Sequence, residues 1–127
     1  MNDANPANLI ERYLAAYNAF DVDGMLALLR ADVVFENYSG GVLTASARGI
    51  EEFRALAERA KALFVEREQR VTALRVDGDR AVAGIAYRGR LATDLPGGPA
   101  AGATIELQGE SEFVFRDGRI ARLVDRS

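Results

Sequence analysis

A chain of 127 residues, 49% hydrophobic and 28% charged, has the apolar content of one globular domain, expected to span 1–127 around one core. Its formal charge of −3 argues against nucleic acid or an anionic membrane surface as partner, and no apolar run approaches the ~20 residues that cross a bilayer. Without cysteine there is no disulfide or thiol chemistry; without histidine, any acid–base work must use carboxylates, phenols, amides, Lys or Arg.

The opening MNDANPANLIER lacks a basic region followed by an apolar one, so no secretory signal is read there and a cytoplasmic location is expected. The first helix should start at Asn5-Pro6, with Asn as cap and Pro in the first turn. Its apolar positions Leu9, Ile10, Tyr13, Leu14, Tyr17 and Phe20 share one face at helical period. Asp21 should cap a short second helix that buries Met25, Leu26, Leu28 and Leu29. The β-branched and aromatic run from Val33 to Tyr38 predicts a strand. A loop follows, with room for a short strand at Val42 to Thr44. A third helix begins near Gly49, with Ile50, Phe53, Leu56, Ala57, Ala60, Leu63 and Phe64 along one stripe and Glu51 and Glu52 in its first turn.

From about Val65 the period changes to two. Strands are expected over 66–76, 80–91, 104–115 and 119–124, with Asp77-Gly78 and Asp117-Gly118 as tight hairpin signals. A Pro- and Gly-rich segment, ATDLPGGPAAGA, connects the middle pair. Two helices, a strand, a short strand, a helix and then an antiparallel meander make an α+β fold. No Asp-rich loop of ion-binding spacing occurs, so no metal is expected; no organic cofactor is expected either.

The stretch ERYLAAYNAFDVDGMLALLRADVVFEN resembles the opening of the nuclear-transport-factor-2-like superfamily, closest to its ketosteroid-isomerase and SnoaL-like polyketide-cyclase branches. The shared features are a tyrosine on helix one, an N-A-x-D-x-D-G helix junction and a polar pair on the first strand. The G-E-S-E-F-V-F stretch resembles a second strand of the isomerases. The resemblance implies a cystatin-like conical barrel, with three N-terminal helices packed on a strongly curved, mostly antiparallel sheet, and a deep pocket. It places Tyr13 on the isomerase oxyanion-hole tyrosine, Asn37 on the proton-shuttling aspartate and Ser111 on the second, protonated aspartate. The isomerases work with an Asp base and an oxyanion hole made of a Tyr and a neutral Asp, and of these three groups only the tyrosine is kept here. An amide accepts no proton at neutral pH, so steroid isomerisation is not expected.

Strand alternation gives an independent view of the same region. In the strand from Thr104, the positions Ile105, Leu107, Gly109, Ser111, Phe113 and Phe115 share one face, opposite Glu106, Gln108, Glu110 and Glu112. In the preceding strand Ile85 and Tyr87 share the inner parity, and in the last strand Leu123 and Asp125 do, with the resemblance turning these two toward the cavity. The expected binding wall is therefore Tyr17, Phe35, Phe53, Tyr87, Ser111, Phe113 and Leu123, with Asp125, Tyr13 and Asn37 as the catalytic set. Glu36 is off the pocket parity and is expected to pair with an arginine. Arg88, Arg90, Glu106, Glu110 and Glu112 read as cross-strand pairs on a wet face.

Three functions fit this pattern. In an enzyme, Asp125 in an apolar cavity would act as general acid or base while Tyr13 and Asn37 donate hydrogen bonds to a carbonyl or enolate oxygen. A non-catalytic binder of a small lipophilic molecule would need only the pocket. An association module would fill the pocket with its own side chains and dimerise through the outer sheet face at Val82, Gly84 and Ala86, and the family habit makes a homodimer the expectation. An Asp-Arg-Asp epoxide-hydrolase set is poorly matched, because the only Arg-x-Asp is Arg75-Val76-Asp77 at a hairpin turn.

Overall fold

Helix α1 (Pro6–Asn18) starts where the Asn5 side chain accepts hydrogen bonds from the Ala7 and Asn8 amides, at 2.9 and 3.3 Å, with Pro6 at the first helical position. It buries Leu9, Ile10, Tyr13 and Leu14, the stripe expected from its periodicity. Its end is set by Phe20, which takes a left-handed φ of 60° and turns the chain into α2 (Val22–Leu26). Asp21 caps α2 by accepting from the Gly24 amide at 2.9 Å, and any side chain at Gly24 would collide with the Asp21 carboxylate at 2.3 Å. The Asp-x-Asp-Gly junction is thus a steric unit as well as a cap.

The structure is a computed structural model describing residues 5–127, in which β1 (Leu29–Ser39), β2 (Val42–Arg48), α3 (Ile50–Lys61), β3 (Phe64–Asp77), β4 (Arg80–Leu91), β5 (Thr104–Arg116) and β6 (Arg119–Arg126) follow α2. The six strands form one sheet in the order β2-β1-β6-β5-β4-β3, antiparallel except for the β1–β6 pair. This is the expected α+β architecture, three helices on a curved and mostly antiparallel sheet. The Asp117-Gly118 turn has positive φ at both residues, 55° and 75°, the geometry that suits the twist of a two-residue hairpin.

The three largest departures from the expected boundaries have a physical cause. Leu28 and Leu29 are buried but not helical: the Ile120 amide donates to the Leu28 carbonyl and Leu29 registers with Ile120, so pairing with β6 pulls this segment into β1. Leu63 and Phe64 leave the α3 stripe, since the helix ends at Lys61 and Phe64 opens β3. The short strand after Gly41 extends to Arg48, because its whole length pairs with β1.

The core lies between the helices and the inner sheet face, where Leu9, Ile10 and Leu14 meet Phe113, Phe115, Ile120 and Leu123. Burying side chains of this size stabilises by about 1.5–3 kcal/mol each. The opposite face carries ion pairs: Arg122 with Glu36 at 2.9 Å, Arg126 with Glu112 at 3.1 Å, and Arg80 with Glu112. Val82, Gly84 and Ala86 lie among them half-buried, and the Thr72 hydroxyl sits over Gly84. Among the described residues no helix is long and apolar enough to cross a membrane.

Candidate functional site

Toward one end of the sheet the helices and strands diverge around a cavity of about 690 Å³, well inside the ~300–1,000 Å³ range of small-molecule sites. Tyr13 and Tyr17 enter from α1, Phe53, Leu56 and Ala57 from α3, and Phe35 and Asn37 from β1. Ile85 and Tyr87 come from β4, Ile105, Leu107 and Ser111 from β5, Asp125 from β6, and Leu95 from the loop between β4 and β5. Of the expected binding wall, Tyr17, Phe35, Phe53, Tyr87 and Ser111 line this space.

Phe113 and Leu123 do not line it. They are 0% and 1% exposed and lie in the solid core. Phe113 stacks on Phe115 with centroids 6.0 Å apart and takes the Tyr13 ring edge-on at 6.3 Å, while Leu123 sits between Phe113 and Phe35 in the strand register. Alternation placed both on the correct face. What closes the space at their level is the packing of Phe113 against its aromatic neighbours.

Asp125 is the carboxylate set into this wall. It registers with Ser111 on one side and Asn37 on the other, so three polar positions of three adjacent strands stand side by side. The Ser111 hydroxyl donates to Asp125 Oδ1 at 2.6 Å. Burial disfavours the charged form and raises the carboxyl pKa to about 6, while the Ser111 hydrogen bond pulls the other way. Ser111 is therefore occupied by Asp125, which changes its expected role from ligand contact to support of the acid.

Asn37 is likewise engaged. Its Nδ2 donates to the Thr44 hydroxyl at 2.8 Å, and that hydroxyl donates back to the Asn37 carbonyl at 3.2 Å. The cause is the slip in β1–β2 register, where Asn37 faces Ala45 and Tyr38 faces Leu43, leaving Thr44 unmatched and free to turn. One of the two Asn37 amide protons is thus committed within the protein. Tyr13 is buried, and its phenol is held neutral far above the usual range, first by burial and then by the nearby Asp125 charge. Tyr17 Oη donates to Tyr87 Oη at 3.1 Å, and burial raises both phenols.

The wall also contains Arg67, a residue not anticipated. It is only 6% exposed and lines the cavity from β3. Its Nε donates to the Tyr17 carbonyl at 3.0 Å, and its guanidinium lies 3.6 Å from the centre of the Tyr17 ring and 4.7 Å from that of Phe20. The Asn18 side chain clamps the Gln69 backbone at both ends, at 2.8 and 3.2 Å, fixing the end of α1 against β3 where Arg67 enters. The available signal was parity: Arg67 and Gln69 share the inward face of β3, while Glu66, Glu68 and Arg70 share the outward one. Among the described residues no three Asp or Glu side chains converge to hold a metal ion.

The sequence profile of the SnoaL-like domain matches residues 10–123. No curated protein matches the chain. Among solved structures, the chain is similar to a candidate polyketide cyclase from Xanthomonas campestris pv. campestris, with 27% identity, TM-score 0.83 and coverage of 95% of this chain and 88% of that one. It is similar to TsrD from Streptomyces laurentii, with 30% identity, TM-score 0.79 and coverage of 98% and 89%. A protein of ketosteroid isomerase-like fold from Catenulispora acidiphila DSM 44928 shares the fold alone, at 17% identity and TM-score 0.77, with coverage of 95% and 85%. With its profile matched over most of its length and its helices wrapped on the same curved sheet, the chain belongs to the SnoaL-like family, within the nuclear-transport-factor-2-like superfamily.

Proposed function

We propose that this protein is a cofactor-free acid–base catalyst for a small lipophilic carbonyl compound, performing a cyclisation or isomerisation with Asp125 as the base. The observation that carries this reading is a carboxylate, backed by Ser111, in the wall of a largely apolar cavity large enough for a ligand. A carboxyl titrating at about 6 is mostly ionised at neutral pH, yet its conjugate acid returns the proton readily. Asp125 removes a proton from the carbon beside the carbonyl, and the C–H electron pair moves onto oxygen as an enolate. The neutral Tyr13 phenol, with the remaining Asn37 amide proton, donates hydrogen bonds to that oxygen as charge develops. The enolate carbon then attacks a second carbonyl of the same molecule, or is reprotonated elsewhere, and Asp125 gives its proton back.

The likeness to a candidate polyketide cyclase at 27% identity supports this substrate class. A binder without chemistry is the second reading, favoured by Asn37 and Ser111 standing where the isomerases have acids. Exchange of deuterium from solvent into the carbon beside the carbonyl of β-tetralone separates the two, since only an acid–base catalyst accelerates it.

Steroid ketones should not be isomerised at a useful rate, because Asn37 accepts no proton. Asn37→Asp should gain measurable turnover, followed as the absorbance of the conjugated enone, if the cavity admits a steroid. Robust turnover by the unmodified protein would instead make Asp125 the steroid base.

The protein is also expected to be a homodimer across the outer sheet face at Val82, Gly84 and Ala86, where small side chains permit close approach between ion pairs. Light scattering at micromolar concentration should return twice the chain mass. A monomer mass would end this proposal.

A further inference from the structure

Arg67 has a feature that the proposed proton transfer does not use. Its Nη2 is buried and has no hydrogen-bond partner. Among the described residues it forms no ion pair, whereas eight other ion pairs are made elsewhere on the chain. A guanidinium withdrawn from water without a carboxylate loses much of its solvation, and aromatic stacking with one neutral hydrogen bond offsets only part of this. Glu66 and Glu68, its neighbours on β3, are exposed on the other face of the strand. The two side-chain carboxylates that line the cavity do not neutralise it: Glu110 is exposed, and Asp125 is held by Ser111 across the space.

The polar side chains around Arg67 can donate hydrogen bonds. The hydroxyls of Tyr17 and Tyr87 form one hydrogen bond between them, which leaves one phenolic proton of the pair unspent. Gln69, next along the same face of β3, also lines the cavity. Tyr13 and Tyr17 feel Arg67 and Asp125 with opposite sign, so both phenols stand within range of the two charges. The cavity therefore has a cationic, donor-rich end and a basic end, with apolar surface from Phe35, Phe53 and Leu56 along its side.

We infer that Arg67 is the anchor for an acidic group of the ligand, so that the preferred molecule for this cavity is a lipophilic carbonyl compound that also carries a carboxylate. This rests on the cavity being a ligand site, as proposed above, and it names the substrate class. A carboxylate would accept from the guanidinium and from the free phenolic proton, and would place the rest of the molecule along the apolar side toward Asp125. Arg67 is a specificity-determining residue in this scheme and takes no part in proton transfer.

The test is calorimetric titration at pH 8 with β-naphthylacetate and β-naphthylacetamide, which have the same shape and differ in charge. The carboxylate should bind the unmodified protein about tenfold or more tightly than the amide, the scale of a charge-assisted hydrogen bond. Arg67→Met should abolish that preference while leaving amide binding within about twofold, and Arg67→Lys should retain part of it. Asp125→Asn should keep the preference intact, and an unmodified protein that selects the carboxylate but accelerates no proton transfer would defeat the catalytic reading alone. Equal affinity for the two probes, selectivity that survives Arg67→Met, or no binding of either at millimolar concentration would overturn the inference. Where Arg67→Met fails to fold, the guanidinium nitrogen resonances of the unmodified protein give the answer. They should shift on adding the carboxylate and not on adding the amide, and no shift with the carboxylate counts against the anchor.

Discussion

Asp125→Asn is expected to lose deuterium exchange into β-tetralone by about 10²–10⁴-fold, the usual contribution of a positioned general base. The amide keeps the size of the carboxyl and can still accept the Ser111 hydrogen bond that spans 2.6 Å in the native chain. The loss is therefore one of basicity and not of shape. The same variant should gain stability. Folded Asp125 titrates at about 6, above the ~3.9 of an unfolded aspartate. Between these values the folded state holds a proton that the unfolded chain has released. The stabilising contribution of that proton is full below about pH 4 and is lost as pH rises through about 6. Asparagine avoids the loss, so the variant should exceed the native chain at pH 8 by on the order of 1–3 kcal/mol and show no such gain at pH 4. Urea unfolding at the two pH values measures this. A variant that loses stability at pH 8 while keeping its exchange rate would mean that Asp125 is an ordinary structural acid.

Phe113→Ala should be the most damaging single substitution in the core, lowering unfolding free energy by about 3–5 kcal/mol. Phe113 is 0% exposed, stacked at 6.0 Å on Phe115 and met edge-on by Tyr13 at 6.3 Å. Surrounding strands on both sides, β4 and β6, prevent the site from collapsing to fill the void. The new space would adjoin Tyr13, so its ring should gain freedom and exchange activity should fall even where the protein stays folded. Phe53→Ala makes the contrast: its ring already borders the cavity, and its edge-on partner Phe35 at 5.6 Å also lines that space. Its cost should be smaller, and chemical denaturation of the two variants side by side gives the comparison.

Much of this molecule was legible in its residues because local signals and long-range pairing agree. The expected limits of β4, 80–91, were met because a Gly-containing turn and uninterrupted alternation coincide there. Agreement failed where tertiary pairing overrode local pattern. Leu28 and Leu29 carry a helical stripe, yet Ile120 draws them into the sheet. The face of each site residue was readable and its depth was not: parity groups Phe113 with Ser111, but only the aromatic packing around Phe113 decides that the cavity stops above it. The Asn37–Thr44 hydrogen bond depends on a slip in strand register that no residue of β1 announces. Arg67 was missed because a cation in a strand full of charges reads as solvated surface, although its shared parity with Gln69 was there to be used.

The carboxyl of Asp125 carries the catalytic proposal, and its titration by carbon-detected NMR tests that proposal most directly. The resonance should move with an apparent pKa of about 6, and Ser111→Ala, which removes the one hydrogen bond lowering it, should push the value higher still. A midpoint near the ~3.9 of a free aspartate, unchanged by Ser111→Ala, would mean a solvated acid with no partner in the wall, and the cavity would then be a binding site without a base.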